Sequence, residues 1–91
     1  MPYYSIEYDL KAGQNYKPII GAIEELGGVR ALDSYWLIEL SDADAEPVRD
    51  HFKQFLPTPD TDKLMVIEFS KRPRFTRAFK AALEWIQARF P

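Results

Sequence analysis

The chain predicts an α+β domain of the order β-α-β-β-α-β, closed by an additional C-terminal helix. Three observations carry that expectation. Stretches near residues 3–10 and 63–69 are rich in aromatic and β-branched residues, the composition of strands. Apolar residues between them recur at helical spacing. A short run around Asp33-Ser34 has the residues of a tight turn flanked by strand formers. Ninety-one residues suffice for one core, so a single domain over 1–91 is expected, with its core in 3–70 and a basic segment and helix in 71–91.

From Tyr3 to Leu10 the first strand sends Tyr4, Ile6 and Tyr8 one way and Tyr3, Ser5, Glu7 and Asp9 the other. Residues 11–14 form a loop. Asn15 can then cap a helix whose first turn accommodates Pro18, since the missing N–H does least harm there. Tyr16, Ile19, Ile20, Ile23 and Leu26 are its apolar stripe, and Gly27-Gly28 stop it. Val29–Leu32 and Tyr35–Leu40 read as a hairpin turning at Asp33-Ser34. Asp44 caps the second helix and leaves Pro47 in its first turn; Val48, Phe52, Phe55 and Leu56 line its apolar side. The segment 56–60, with two prolines, ends it, and Lys63–Phe69 is the last strand. After Pro73, Phe75, Phe79, Leu83, Ile86 and Phe90 suggest a third helix. The order is that of a ferredoxin-like split βαβ fold, an antiparallel sheet with the first two helices on one face.

Each major strand carries a glutamate near its end: Glu7, Glu39 and Glu68. If all three point away from the helices, the core sets are Tyr4/Ile6/Tyr8, Trp36/Ile38/Leu40 and Met65/Ile67/Phe69. The opposite face then holds Tyr3, Ser5, Tyr35, Leu37, Leu64 and Val66 among the acids, too apolar for open water. Cover by a second copy, by the third helix, or by both is expected, and a homodimer is favoured. Aromatics set among carboxylates also argue against an RNA-recognition sheet, which surrounds its stacking rings with basic residues.

The formal net charge of −2 conceals an asymmetry. From Lys71 to Pro91 six basic residues face one acid, for +5, whereas the other seventy residues carry six basic and thirteen acidic groups, for −7. Indiscriminate coating of nucleic acid is therefore excluded; Lys71, Arg72, Arg74, Arg77 and Lys80 read either as the solvated face of a helix or as a local grip on nucleic acid or an acidic partner surface. The chain has no cysteine, which removes disulfides, thiolate zinc sites and thiol catalysis. His51 is the lone histidine and reads as an exposed structural residue, with no serine or acid placed to make a triad. There is no glycine-rich phosphate loop. The first residues lack the basic and apolar stretches of a signal peptide, and no apolar run reaches the ~20 residues of a membrane span. A cytoplasmic protein without membrane contact is expected.

Asp9 is the residue best placed for chemistry, at the end of a strand where a carboxylate meets solvent and ligand. One aspartate holds Mg2+ poorly, because hard cations want several oxygen ligands. A two-fold dimer would present Asp9 twice, and such an ion could activate water or steady a phosphodiester. Capping of loop backbone is the plainer role for Asp9. Glu7 is a second ligand or an ion-pair partner.

Tyr8-Asp9-Leu10, Leu32-Asp33-Ser34-Tyr35-Trp36-Leu37-Ile38, Val48-Arg49-Asp50-His51-Phe52 and Leu83-Glu84-Trp85-Ile86 resemble, in order and spacing, the SinR-like branch of a small superfamily. That superfamily contains the small CRISPR-associated endoribonuclease of the spacer-adaptation module and the VapD toxins. The resemblance runs from Tyr3 to Phe90 and implies a ferredoxin-like homodimer. It implies Asp9 as the metal-linked catalytic residue, with Tyr8 and Ser34 as further catalytic candidates and Mg2+ as cofactor. The activity implied is metal-dependent cleavage of RNA or DNA, a toxin-like ribonuclease activity, or a non-catalytic scaffold beside an integrase-type partner. The chain departs from the nuclease branch in having few basic residues soon after Asp9.

Overall fold

The computed structural model describes residues 2–11, 13–41 and 44–91. Of the loop expected over 11–14, Ala12 lies outside the described residues, as does Met1 of the expected N-terminal reading. Seven elements follow in the order β1 (Tyr3–Asp9), α1 (Lys17–Glu25), β2 (Val29–Leu32), β3 (Tyr35–Glu39), α2 (Ala45–Lys53), β4 (Lys63–Phe69) and α3 (Lys80–Arg89). The four strands form one sheet in the order β2-β3-β1-β4, with every neighbouring pair antiparallel. This small α+β architecture is compatible with a ferredoxin-like fold.

Local chemistry sets the ends of the helices, with one correction: the N-cap of α1 is Tyr16, which makes no side-chain cap bond, rather than the expected Asn15. The Asn15 side chain, one residue ahead of that N-cap, accepts a hydrogen bond from the Lys17 N–H at 3.0 Å, and Pro18 sits in the first turn. At the other end Gly28 N–H donates to the Ile23 carbonyl and Gly27 N–H to that of Glu24, both at 2.9 Å, which is a Schellman closure. Gly27 adopts φ +88°, favoured by glycine. A Cβ on Gly28 would stand 2.4 Å from Ile23 Cγ2 and 3.0 Å from the Ile23 carbonyl oxygen, so the return of the chain needs a hydrogen there. Asp44 caps α2, its carboxylate accepting from the Glu46 N–H at 3.3 Å.

Two cores flank the sheet. On one side Tyr4, Ile6, Tyr8, Trp36 and Ile38 pack against Ile19, Ala22 and Ile23 of α1 and Val48 and Phe52 of α2. On the other, α3 lays Ala82, Trp85 and Ile86 on Ala31 and Leu37, with Tyr3, Val29, Tyr35 and Phe69 around them. The third helix is thus a cover for the second face. Arg89 fastens its end: its Nε donates to Glu39 Oε1 at 2.8 Å, and its guanidinium lies over the Trp85 ring at 4.4 Å.

The face assignment of β4 differs from expectation. Tyr4 pairs with Glu68, Ile6 with Val66 and Tyr8 with Leu64, so Leu64 and Val66 join the α1/α2 core and Met65, Ile67 and Phe69 lie on the other face. Glu68 therefore shares a face with Tyr4 rather than with Glu7. The cost is small, because β4 is an edge strand and Glu68, near its end, remains exposed.

The third helix also begins later than its aromatic spacing suggests. After β4, residues 70–79 form a helix-free connection to α3, and the Phe79 N–H donates to the Ala31 carbonyl at 3.1 Å. With Phe79 extended at φ −63° and ψ 149°, the helix cannot start before Lys80. Phe75, Phe79 and Leu83 consequently stay exposed, and Ala82, Trp85 and Ile86 form the buried side. Among the described residues, no helix is long and apolar enough to cross a membrane.

Candidate functional site

Asp9 is the last residue of β1, a central strand of the sheet, and its side chain is exposed. The register sets it opposite Lys63, and sets Glu7 opposite Met65 on β4 and Tyr35 on β3. Glu7 and Asp9 stand on the face that α3 covers elsewhere. Alternation along the strand gives them that side because Ile6 and Tyr8 are drawn into the α1/α2 core. The cover by α3 is incomplete: Met65 and Ile67 are 61% and 51% exposed on that side. Glu7, Tyr8, Asp9, Lys63, Leu64 and Met65 line an open hollow of about 350 Å³.

The three catalytic candidates occupy one end of the sheet but present different groups. Asp9 offers an exposed surface carboxylate. The Tyr8 side chain leaves the opposite face and is buried, where its hydroxyl accepts a hydrogen bond from Trp36 Nε1 at 2.9 Å. Ser34, half-buried in the β2–β3 turn, accepts the Tyr8 backbone N–H through its own carbonyl at 3.2 Å. Tyr8 thus ties the hairpin turn and the Trp36 indole to the strand end that carries Asp9.

Asp62, which has no sequence signature of function, organises the rim of this end. Its Oδ1 accepts the Lys11 N–H at 2.8 Å and its Oδ2 accepts the Thr58 N–H at 2.7 Å. One carboxylate therefore joins the loop that leaves Asp9 to the loop that leads into Lys63. The only advance signal is an aspartate just after the turn-rich stretch Pro57-Thr58-Pro59-Asp60-Thr61.

The donor set of one chain does not fit a resident Mg2+. Among the described residues no group of three or more histidine or acidic side chains is placed to hold a metal. Glu7 and Asp9 alone leave most of the coordination sphere unfilled. His51 stands apart from any such group; its exposed ring packs edge-on against Phe52 and Phe55 at 5.0 and 5.6 Å.

The basic candidates make a second locality. Lys71, Arg72, Arg74, Arg77 and Lys80 are all exposed on the connection between β4 and α3 and at the start of that helix. Lys71, Pro73 and Arg74 border a hollow with Ser5, Tyr35, Leu37, Ile67 and Phe69, so this connection passes over the sheet face. Arg72 Nη1 donates to the Phe90 carbonyl at the end of α3, which anchors the connection. No protein-family model, curated protein or solved structure matches the chain.

Proposed function

We propose that this is a ferredoxin-like homodimer that acts on nucleic acid as a nuclease-like protein, in keeping with its resemblance to the SinR-like branch. The strand order β2-β3-β1-β4 supports the fold, since the split βαβ arrangement requires those neighbours. The observation that carries the functional reading is the exposed Asp9 carboxylate, at the end of a central strand, beside a sheet face left partly bare. Two copies meeting at that bare region would cover Met65 and Ile67 and bring two Glu7 and two Asp9 side chains together. Four carboxylates meet the oxygen-ligand demand that one chain does not. Mg2+ held there would neutralise phosphodiester charge and favour attack by water. Asp9 is then the positioned ligand, Lys63 offsets the repulsion between carboxylates, and Tyr8 keeps the strand end in place through its bond with Trp36.

The test is cleavage of labelled RNA and DNA by wild type and Asp9→Ala at matched oligomeric state, with and without EDTA. Cleavage that EDTA stops and Asp9→Ala abolishes is expected. Cleavage unchanged by that substitution would remove Asp9 from the chemistry.

A second reading is favoured by the basic segment: a non-catalytic dimer that holds nucleic acid, as a scaffold beside an integrase-type partner would. Five exposed cations with no acid between them at 71–80 support it. It requires binding that weakens steeply with salt, because each phosphate contact releases counterions. A toxin-like ribonuclease would share the Asp9 chemistry and differ in substrate.

A further inference from the structure

Two hollows adjoin along the edge strand β2. One, of about 360 Å³, is lined by Ala31, Leu32, Asp33, Arg77, Ala78 and Phe79. The next shares Ala31, Leu32 and Ala78 and adds Arg74 and Phe75. Leu32, Phe75 and Phe79 are 50%, 45% and 47% exposed, so three large apolar side chains stand in water along this edge. The sequence between them, Arg74-Phe75-Thr76-Arg77-Ala78-Phe79-Lys80, alternates rings with cations. The backbone keeps the rings off the helix: Phe79 is held extended by its bond to Ala31, and Phe75 lies on the helix-free connection before it, so neither belongs to the buried side of α3.

We infer that this edge binds single-stranded nucleic acid, with Phe75 and Phe79 as stacking platforms for bases and Arg74, Arg77 and Lys80 as phosphate contacts. The inference rests on the reading of segment 71–80 as a polyanion contact and specifies its ligand. Stacking rings interleaved with a cationic track are what binding to single strands requires, because every base offers a π-face. A duplex keeps its base faces inside its own stack, so the two rings would be idle against it. Charge selects the polyanion over an apolar peptide, since segment 71–80 carries five cations and no acid. Asp33 on the rim repels phosphate from the Leu32 side and so turns the strand's backbone toward the arginines.

The experiment is fluorescence anisotropy with a labelled oligothymidylate of about 12 nucleotides and a blunt duplex of the same length, over a salt series. Binding to the single strand at least about tenfold tighter than to the duplex is expected. Phe75→Ala and Phe79→Ala should each weaken single-strand binding roughly 5- to 20-fold, the low end of what a lost stacking ring costs. Phe75→Leu and Phe79→Leu keep apolar bulk without the aromatic face, and they should weaken binding similarly in chains with unchanged thermal melts. Arg74→Gln with Arg77→Gln should flatten the slope of log affinity against log salt by about 1.4, at ~0.7 per phosphate contact on a single strand.

Equal affinity for duplex, with phenylalanine variants like wild type and arginine variants weakened, would overturn the single-strand inference and leave the basic-segment reading standing. Arginine variants that bind like wild type would overturn both. Displacement of the oligonucleotide by polyglutamate at equal charge would assign the edge to an acidic protein instead. Phenylalanine variants that dissociate a wild-type dimer in sedimentation would make the edge a contact between copies.

Discussion

Replacing Trp85 with alanine tests whether the two faces of the sheet carry separable cores. Trp85 is 6% exposed and holds α3 down: its ring meets Tyr3 edge-on at 5.5 Å, Phe69 at 6.3 Å and the Arg89 guanidinium at 4.4 Å. Truncating a buried aromatic costs about 3–5 kcal/mol, and the polar-face contact with Arg89 is lost with it, so about 4 kcal/mol is expected. A domain of this length has roughly 5–14 kcal/mol in total at 0.05–0.15 kcal/mol per residue. The first core, built on Tyr4, Ile6, Trp36 and Phe52, shares no buried side chain with the second, so it should survive the loss. Native-state hydrogen exchange is the assay. Amides of α3 should lose protection by about a thousandfold, at 1.4 kcal/mol per tenfold, while those of β1 and α2 keep most of theirs. Trp36 remains as the sole tryptophan and reports unfolding of the first core in urea. Equal loss of protection throughout would show one cooperative core. A change under ~1 kcal/mol would mean that α3 is not held by Trp85.

Two substitutions probe the frame around Asp9 and the end of α1. Asp62→Ala removes the acceptor for both the Lys11 and Thr58 N–H groups; it should cost about 2 kcal/mol in urea unfolding and speed exchange at those two amides. Unchanged exchange there would mean that the carboxylate does not tie the loops. Gly28→Ala forces a Cβ against Ile23, including its carbonyl oxygen at 3.0 Å, and should cost more than Gly27→Ala, for which a positive φ alone predicts about 1 kcal/mol. The reverse order of melting temperatures would refute the close-approach argument.

Element positions were legible because period and turn chemistry agreed: Asp44 ahead of Pro47, Gly27-Gly28 after Leu26, and Asp33-Ser34 between two strand-forming runs. The inward face of β4 was not. Leu64 to Phe69 is apolar on both sides except at Glu68, so a shift of one residue leaves the pattern nearly intact. The register against β1 decides it, setting Val66 beside Ile6 and Leu64 beside Tyr8. Phe75, Phe79 and Leu83 imitated a helical stripe because their spacing is four, and the single backbone bond from Phe79 to Ala31 breaks that run before Lys80. The strand-end exposure of Asp9 followed from its position. The part played by Asp62 could not, because its partners are backbone N–H groups that any residue supplies.

The placement of α3 narrows how two copies can meet. Its cover reaches Tyr3, Leu37 and Phe69, leaving Glu7, Asp9, Lys63 and Met65 toward the other end of the same face. A dimer that uses the bare region must bring the carboxylates of both chains near its axis, where like charges in a partly dry contact oppose association. Lys63, in register with Asp9, offsets part of this within each chain. The residual repulsion ties two proposals together, because the cation that would serve Asp9 in cleavage would also relieve the charge that opposes pairing. The basic segment lies on the connection to α3, and its aromatic edge follows β2, the strand farthest from β4 in the sheet. Ile67 lines the same hollow as Lys71 and Arg74, so nucleic acid held by Arg74 and a partner seated against Ile67 would meet there, whereas Met65 with Glu7 and Asp9 borders a separate hollow.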